Sequence, residues 1–460
     1  MTEVPHLFAR ARISTEAGAG AGLASEGLPP KWFTKDPNTS FDQDLPALFG
    51  VIGHAARVAV GVDRVGSFFD WWLEVHAAQE AWGRSAGHPA LLTGLGTSLI
   101  ERAVLDGLCR LRGIPFHRAV LENHLGLRLG EVHAALGGIE PGDLLPEAPA
   151  GDTLVRHTLG LADALTAADL SASERVDDGL PQTLEDSVRR YGLKAFKIKL
   201  AGDAARDVAR LEAVDRLLAS LGVADYRVTL DGNENFAGFD AFREFWGRVV
   251  DAPGLREFRR RVLFVEQPVH RSRALSDEGA RVLEAWKDRP PLVIDESDGA
   301  VEDLERALAI GYDGTSHKNC KGIVKGLAHA CLLAKRRRQG ERAILSGEDL
   351  CNLGPVALLQ DLALVALLGI PHVERNGHHY FRGLSPWPRE WQDLARERHP
   401  DLYVEDPPGL TRLAVDAGRL RLASVNAAPF GVAPWFDPEA VGFRRAYLEP
   451  EGERPPPEAG

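Results

Sequence analysis

Along the first third of the chain apolar residues recur at three- and four-residue spacing; through the middle they come in short unbroken runs. FFDWWLEVHAAQEAWGR and SLIERAVLDGLCRLRG show the first pattern and predict amphipathic helices within residues 51–125. Gly113-Ile114-Pro115 closes the second helix. Upstream, HLFARARIS predicts a strand, and EAGAGAGLASEG a turn with a glycine-weakened second strand. LPPKWFTKDPNTS reads as an exposed, proline-rich loop that could serve as a lid.

From about residue 150 the pattern changes. Strands are expected at roughly 154–160, 194–200, 226–231, 262–267, 291–295, 312–318, 342–347 and 370–375. Helical segments lie between them, among them AARDVARLEAVDRLLAS, SDEGARVLEAWKDR, DLERALAIG and GIVKGLAHACLLAKRRR. Alternating strands and helices are the repeat of a parallel α/β fold, and eight strands suit a closed (β/α) barrel. An open doubly wound sheet is the competitor, but no GxGxxG follows an early strand. PVALLQDLALVALLGIP is broken by Gln360 and Asp361 and reads as a buried helix, not a membrane span. In the tail, LTRLAV and RLRLAS are expected to pair as strands across Asp416-Ala417-Gly418. Residues 451–460 are expected to be a disordered tail.

A net charge of −12 without a basic stripe argues against a nucleic-acid partner. The run Lys335-Arg336-Arg337-Arg338 reads as the last turn of a helix, where cations suit the dipole. Four cysteines with no CxxC pair fit a reducing compartment. The start, MTEVPHLFARARIST, has no apolar signal-peptide core, so a soluble, cytoplasmic protein with no membrane partner is expected. Of the 54 basic residues only ten are lysine, so the chain uses arginine for general surface charge. Lysines gathered at strand ends therefore point to chemistry, because an ammonium can titrate and a guanidinium effectively cannot.

Those lysines bracket three acids. The runs read FKIKL (Lys197, Lys199), RVTLDGNENF (Asp231), LFVEQP (Glu266), LVIDES (Asp295) and TSHKNC (Lys318). In a barrel the C-terminal strand ends converge on one face, so these side chains would meet there. Any one acid could be a helix N-cap, yet three at matching strand ends would repel unless a cation neutralised them. All-oxygen ligation suits Mg²⁺, with Mn²⁺ as a substitute. Lys197 and Lys199 are two apart and share a strand face; adjacent ammoniums are expected to depress each other's pKa and make a usable base. Lys318 falls on the sixth strand, opposite the second, so Lys199 and Lys318 could address opposite faces of a substrate. His317 should point the other way. Asn233 is placed to support the metal or a substrate oxygen. The chemistry expected is metal-assisted removal of an α-proton from a small-molecule carboxylate substrate, through an enediolate.

KIK, LDGNENF, VEQP, IDES and HK-xx-KG resemble the enolase superfamily, and most closely its muconate lactonising enzyme branch within the mandelate racemase/muconate lactonising enzyme family. RISTEAGAGAGLASEG and AVLDGLCRLRGIPFHRAV look like that family's capping segments. The resemblance implies a modified (β/α)7β TIM-type barrel at 151–385. It implies an α+β capping domain at 1–150, completed by 386–450, and a homo-oligomer. By resemblance Asp231, Glu266 and Asp295 are metal ligands, Lys199 and Lys318 the two bases and Lys197 the assisting lysine. Lys31 and Trp32 match the mobile capping loop. Ser346, Glu348, His372 and Glu374 are candidates to bind substrate, while His378 and His379 read as a solvated loop. ILSGEDLCNLG carries no histidine, so the His–Asp dyad of the mandelate racemase branch is not evident. The reaction implied is a racemase/epimerase or cycloisomerase; the alternative is a dehydratase (lyase) acting on an acid sugar or hydroxy acid. A Schiff-base aldolase or a non-catalytic barrel is more remote.

Overall fold

A computed structural model describes residues 5–348, 350, 352–375, 381–433 and 435–442. Cys351, His378, His379 and the tail 451–460 lie outside the described residues.

The N-terminal strands β1 (His6–Thr15) and β2 (Gly18–Gly27) form an antiparallel hairpin, with His6 opposite Gly27 and Thr15 opposite Gly18. The glycines of β2 serve helix packing. A Cβ on Gly22 would lie 2.1 Å from Ala103 O and 2.1 Å from Gly107 N, both on the helix laid across the strand. The loop expected at 28–40 contains a short helix, α1 (Pro30–Thr34). Pro30 sits in its first turn, where a missing N–H costs nothing, and Phe33 is buried, so the segment is anchored rather than simply exposed. Three long helices follow: α2 (Phe41–Gly61), α3 (Phe68–Ser85) and α4 (Ala90–Arg112). Ser40 and Gln43 close a capping box on α2, and Gly113, at φ 63°, ends α4. The short helices α5 (Phe116–Leu121) and α6 (Pro141–Leu144) lead to the barrel.

Eight parallel strands make the barrel: β3 (Asp152–Leu159), β4 (Ala195–Lys199), β5 (Arg227–Asp231), β6 (Val262–Glu266), β7 (Leu292–Ile294), β8 (Gly314–His317), β9 (Ile344–Gly347) and β10 (His372–Arg375). They pair in chain order, and β10 closes on β3 with Val373 opposite Val155. The crossovers run through α7 (Leu184–Tyr191), α8 (Ala204–Ser220), α9 (Phe239–Asp251) with α10 (Arg256–Arg261), α11 (Arg271–Ala274) with α12 (Asp277–Ala285), α13 (Asp303–Ile310), α14 (Ile323–Arg338) and α15 (Val356–Leu367). Every residue of α15 is buried, which is why its sequence is apolar all round. Among the described residues no helix is long and apolar enough to cross a membrane.

One expected pairing does not form. β12 (Thr411–Leu413) pairs with β11 (Tyr403–Glu405), and β13 (Arg419–Arg421) pairs antiparallel with β3; a single bridge, Asp416 to Arg419, joins the two predicted partners. The turn between them is tied to the barrel instead. Ala417 and Gly418 both have positive φ, Gly418 N–H donates to Tyr191 O, and Gly418 O accepts from Val155 N–H. The C-terminal segment also returns to the start of the chain. Phe8 packs edge-on against Trp387 and Trp391, and farther along the chain Phe116 packs in a tilted contact against Phe430.

Candidate active site

Strand alternation turns Lys197 and Lys199 into the barrel and leaves Lys194 exposed. The register sets Lys199 beside Asp231 and Asp231 beside Glu266. β7 and β8 end at Ile294 and His317, so Asp295 and Lys318 are the first residues past their strands. His317 lies outside the barrel: its ring fills the space that a Cβ on Gly326 of α14 would need, 2.5 Å away.

Lys197, fully buried, is the centre of the site. Its Nζ lies 2.9 Å from Asp231 Oδ2, 2.8 Å from Glu266 Oε2, 2.6 Å from Glu348 Oε2 and 3.1 Å from Glu374 Oε2. Lys199 donates to Asp231 Oδ2 at 2.6 Å and keeps 24 % of its side chain exposed, at the mouth. On the opposite wall Lys318 donates to Asp295 Oδ2. The indole of Trp32, from α1, covers that ammonium at 4.7 Å.

The other predicted residues divide. Asn233 donates its backbone N–H to Asp231 Oδ1 and its side-chain amide to Glu296 Oε1, both at 2.7 Å. Glu348 accepts from Ser346 Oγ, Lys197 and Arg156. Glu374 accepts from Lys197 and, at 2.5 Å, from Thr158 Oγ1. His372 Nδ1 lies 2.6 Å from Arg156 Nη1; burial, and then that guanidinium, push its pKa down to about 3, so the ring is neutral. Lys31 is not brought to the site: its Nζ folds back on Asp44, Thr39 and Asp36 O within its own segment.

Sequence reasoning passed over several members. Arg156, buried on β3, reaches past β10 to Glu348 at the end of β9. Lys321, one 3₁₀ turn beyond Lys318, curls back to grip Asp295 Oδ1 at 2.8 Å. Glu296 is buried beside Asp295, and burial, then Asp295 and Asp231, raise its pKa to about 7. Strand alternation could have flagged Arg156; Lys321 and Glu296 follow strand ends, where alternation no longer applies.

The charge balance corrects one expectation. Burial pulls Lys197 and Lys199 down, and Lys197 also lowers Lys199, but Asp231 and the acids around it outweigh both effects and hold the two ammoniums above their ordinary value. Lys318 is likewise raised, against burial, by Asp295. Asp295 is held well below its usual range by Lys318 and Lys321 despite burial. Glu266 goes the other way: burial and Glu348 drive it well above, since Lys197 is shared among four acids. Neither oxygen of Glu266 has a hydrogen bond.

These acids suit a hard divalent cation in kind. Glu266 is a buried carboxylate whose ion-pair partner, Lys197, is shared with three other acids, and it stands next to Asp231 on adjoining strand ends with Asp295 just past the next strand. Among the described residues no three such side chains are gathered closely enough to hold an ion. The cation lying between Asp231 and Glu266 in this structure is the Lys197 ammonium.

No family model matches the chain. Over 247 residues it is 28% identical to a hydrophobic dipeptide epimerase from Citrifermentans bemidjiense. That match covers 52% of this chain, and the chain spans about half, 53%, of the length of that relative. Among solved structures, a mandelate racemase/muconate lactonizing enzyme from Bordetella bronchiseptica RB50 superposes with a TM-score of 0.56 at 18% identity, covering 95% of this chain and 97% of the other. A dipeptide epimerase from Enterococcus faecalis V583 does so at 0.50 and 16%, covering 92% and 98%. The chain therefore has the fold of these mandelate racemase/muconate lactonizing enzyme and dipeptide epimerase structures along nearly its whole length.

Proposed function

We propose that this chain is an isomerase, a racemase/epimerase or cycloisomerase, that removes and returns the α-proton of a carboxylate substrate. One observation carries the reading. Lys199 and Lys318 stand on the second and sixth of eight barrel strands, opposite walls of one mouth, with acids between them. Two ammonium-bearing groups facing each other across a substrate can exchange protons with its two faces. In that reading one lysine, as its neutral amine, takes the α-proton, and the other, as its ammonium, delivers one to the opposite face; a cation on Asp231 and Asp295 would take from the lysines the carboxylates that hold their protons on. Negative charge that develops on the substrate's carboxylate meets Lys197 and Lys318, both buried, and Lys199 at the mouth; such interactions are stronger where burial lowers the dielectric. Trp32 covers the Lys318 side.

Asp231, Glu266 and Asp295 would hold Mg²⁺, or Mn²⁺ in its place. That ion supplies neutralisation of the acid cluster and of the enediolate charge. The likeness to a hydrophobic dipeptide epimerase makes dipeptides the first substrates to try.

The test is α-proton exchange in D₂O, followed by NMR, over dipeptide, amino-acid and hydroxy-acid carboxylates with Mg²⁺ and again with EDTA. Exchange that stops with EDTA supports the reading. Turnover that survives EDTA and is trapped by borohydride would replace it with Schiff-base chemistry.

A further inference from the structure

The α1 segment is fastened to the barrel by a set of contacts that take no part in the proton chemistry. The guanidinium of Arg271, on α11, donates to two backbone carbonyls of α1: Trp32 O at 3.0 Å and Phe33 O at 3.1 Å. The same guanidinium is gripped from behind by Glu234, with Nε to Oε1 at 2.9 Å and Nη2 to Oε2 at 2.8 Å. Glu234 Oε1 also accepts the backbone N–H of Arg271 at 2.7 Å. Lys35, just past α1, closes the group: its Nζ lies 3.1 Å from Asn233 O and 3.3 Å from Glu234 Oε2. The Glu234 side chain is fully buried in this arrangement.

A bidentate Arg–carboxylate pair fixes direction as well as distance. Here it aims the remaining guanidinium N–H groups at the backbone that carries Trp32. The junction also holds unusual backbone. Lys35, Asn233 and Glu234 have φ of 53°, 43° and 67°, in the left-handed region that Lys and Glu seldom adopt. Glu234 lies three residues beyond Asp231, on the turn where Asn233 N–H donates to Asp231 Oδ1. The fastening and the carboxylate therefore share one turn.

We propose that Arg271 and Glu234, with Lys35, form a latch that holds α1 closed on the barrel mouth and so positions Trp32 over Lys318. Arg271 and Glu234 are positioning residues, and Trp32 is the wall that a substrate meets on the Lys318 side. The consequence for turnover rests on the function proposed above; the latch itself does not.

The two are separated by limited digestion of the full-length chain with a lysine-specific protease. Lys31 and Lys35 lie within and just after α1, while Lys194 and Lys287 are exposed elsewhere and serve as internal references. Cleavage of native protein follows local opening, so Arg271→Met and Glu234→Gln should each speed cleavage after Lys31 and Lys35 about tenfold or more, with the reference sites unchanged. Arg271→Lys, which keeps a charge but not the fork, should fall between. Equal acceleration at all four sites would mean general unfolding and would overturn the latch, as would no acceleration in either variant. Should either of those two variants fail to fold, Lys35→Met, at a partly exposed position, removes its own cleavage site and is read at Lys31 alone against the same two references. With a substrate in hand, Arg271→Met should raise KM about tenfold with kcat within about threefold. Faster cleavage in a chain that exchanges no α-proton would keep the latch and reject the function.

Discussion

Lys197 on β4 reaches across the barrel interior to Glu348 past β9, 2.6 Å away, and the same ammonium is shared with Asp231, Glu266 and Glu374. A buried cation serving four acids is at once a structural element and a measure of how much negative charge the strand ends bring together.

Removing that cation leaves buried carboxylates without a partner. Lys197→Met should therefore cost about 3–5 kcal/mol of stability, the scale for breaking a buried ion pair. It also opens the centre of the acid cluster, so added Mg²⁺ should stabilise the variant more than it stabilises the wild type. Urea unfolding with and without MgCl₂ decides this; an equal or smaller gain in the variant would reject the acid cluster as the cation's site.

Lys199→Ala and Lys318→Ala should each lower turnover by at least about a hundredfold, the usual worth of a positioned acid or base, with the circular dichroism spectrum retained. In a racemase each variant should still exchange the α-proton of one enantiomer only. NMR of the separate enantiomers in D₂O is the check, and full activity in either variant would sink a two-base mechanism.

Glu101 on α4 accepts the N–H of Ile323, and burial raises its pKa from 4.5 to about 7. The folded chain thus binds this proton more tightly than the unfolded one. Its contribution is complete below the unfolded pKa and falls as pH rises to about 7, then stays level. The total change is of order 3 kcal/mol. Relative to Glu101→Gln, the wild type should lose stability over that window; parallel pH profiles of denaturant unfolding for the two proteins would contradict the assignment.

Gly22→Ala should destabilise the hairpin–helix contact by about 1–3 kcal/mol through overpacking, because the new methyl meets the α4 backbone rather than a movable side chain. Gly50→Ala, where nothing lies within 4 Å, is the control. Thermal denaturation of the pair measures it; equal midpoints would show that α4 moves aside.

Much of this architecture is legible in one dimension. Short apolar runs such as VLFV and LVI, alternating with helical segments, located the barrel strands, since a strand covered on both faces has little polar side to show. Period-two alternation turned Lys197 and Lys199 inward together and His317 outward, because parity is a property of the strand alone. The positions of Asp231, Glu266, Asp295 and Lys318 followed from their place at strand ends.

What the tertiary structure alone decided begins where the strands stop. Lys321 reaches Asp295 only because a 3₁₀ turn doubles the chain back. Arg156 meets Glu348 only because closing the barrel brings β3 within reach of β9. Trp32 lies over Lys318 through contacts between segments more than two hundred residues apart. The lysine pKa values reverse expectation for the same reason. Two ammoniums adjacent in sequence depress each other, but the acids that outweigh them arrive from four other strands, and local spacing carries no record of those distances. The sequence by itself determines which residues face the barrel mouth; the fold determines which of them touch, because Coulomb energies and hydrogen bonds depend on separations that only closure of the sheet sets.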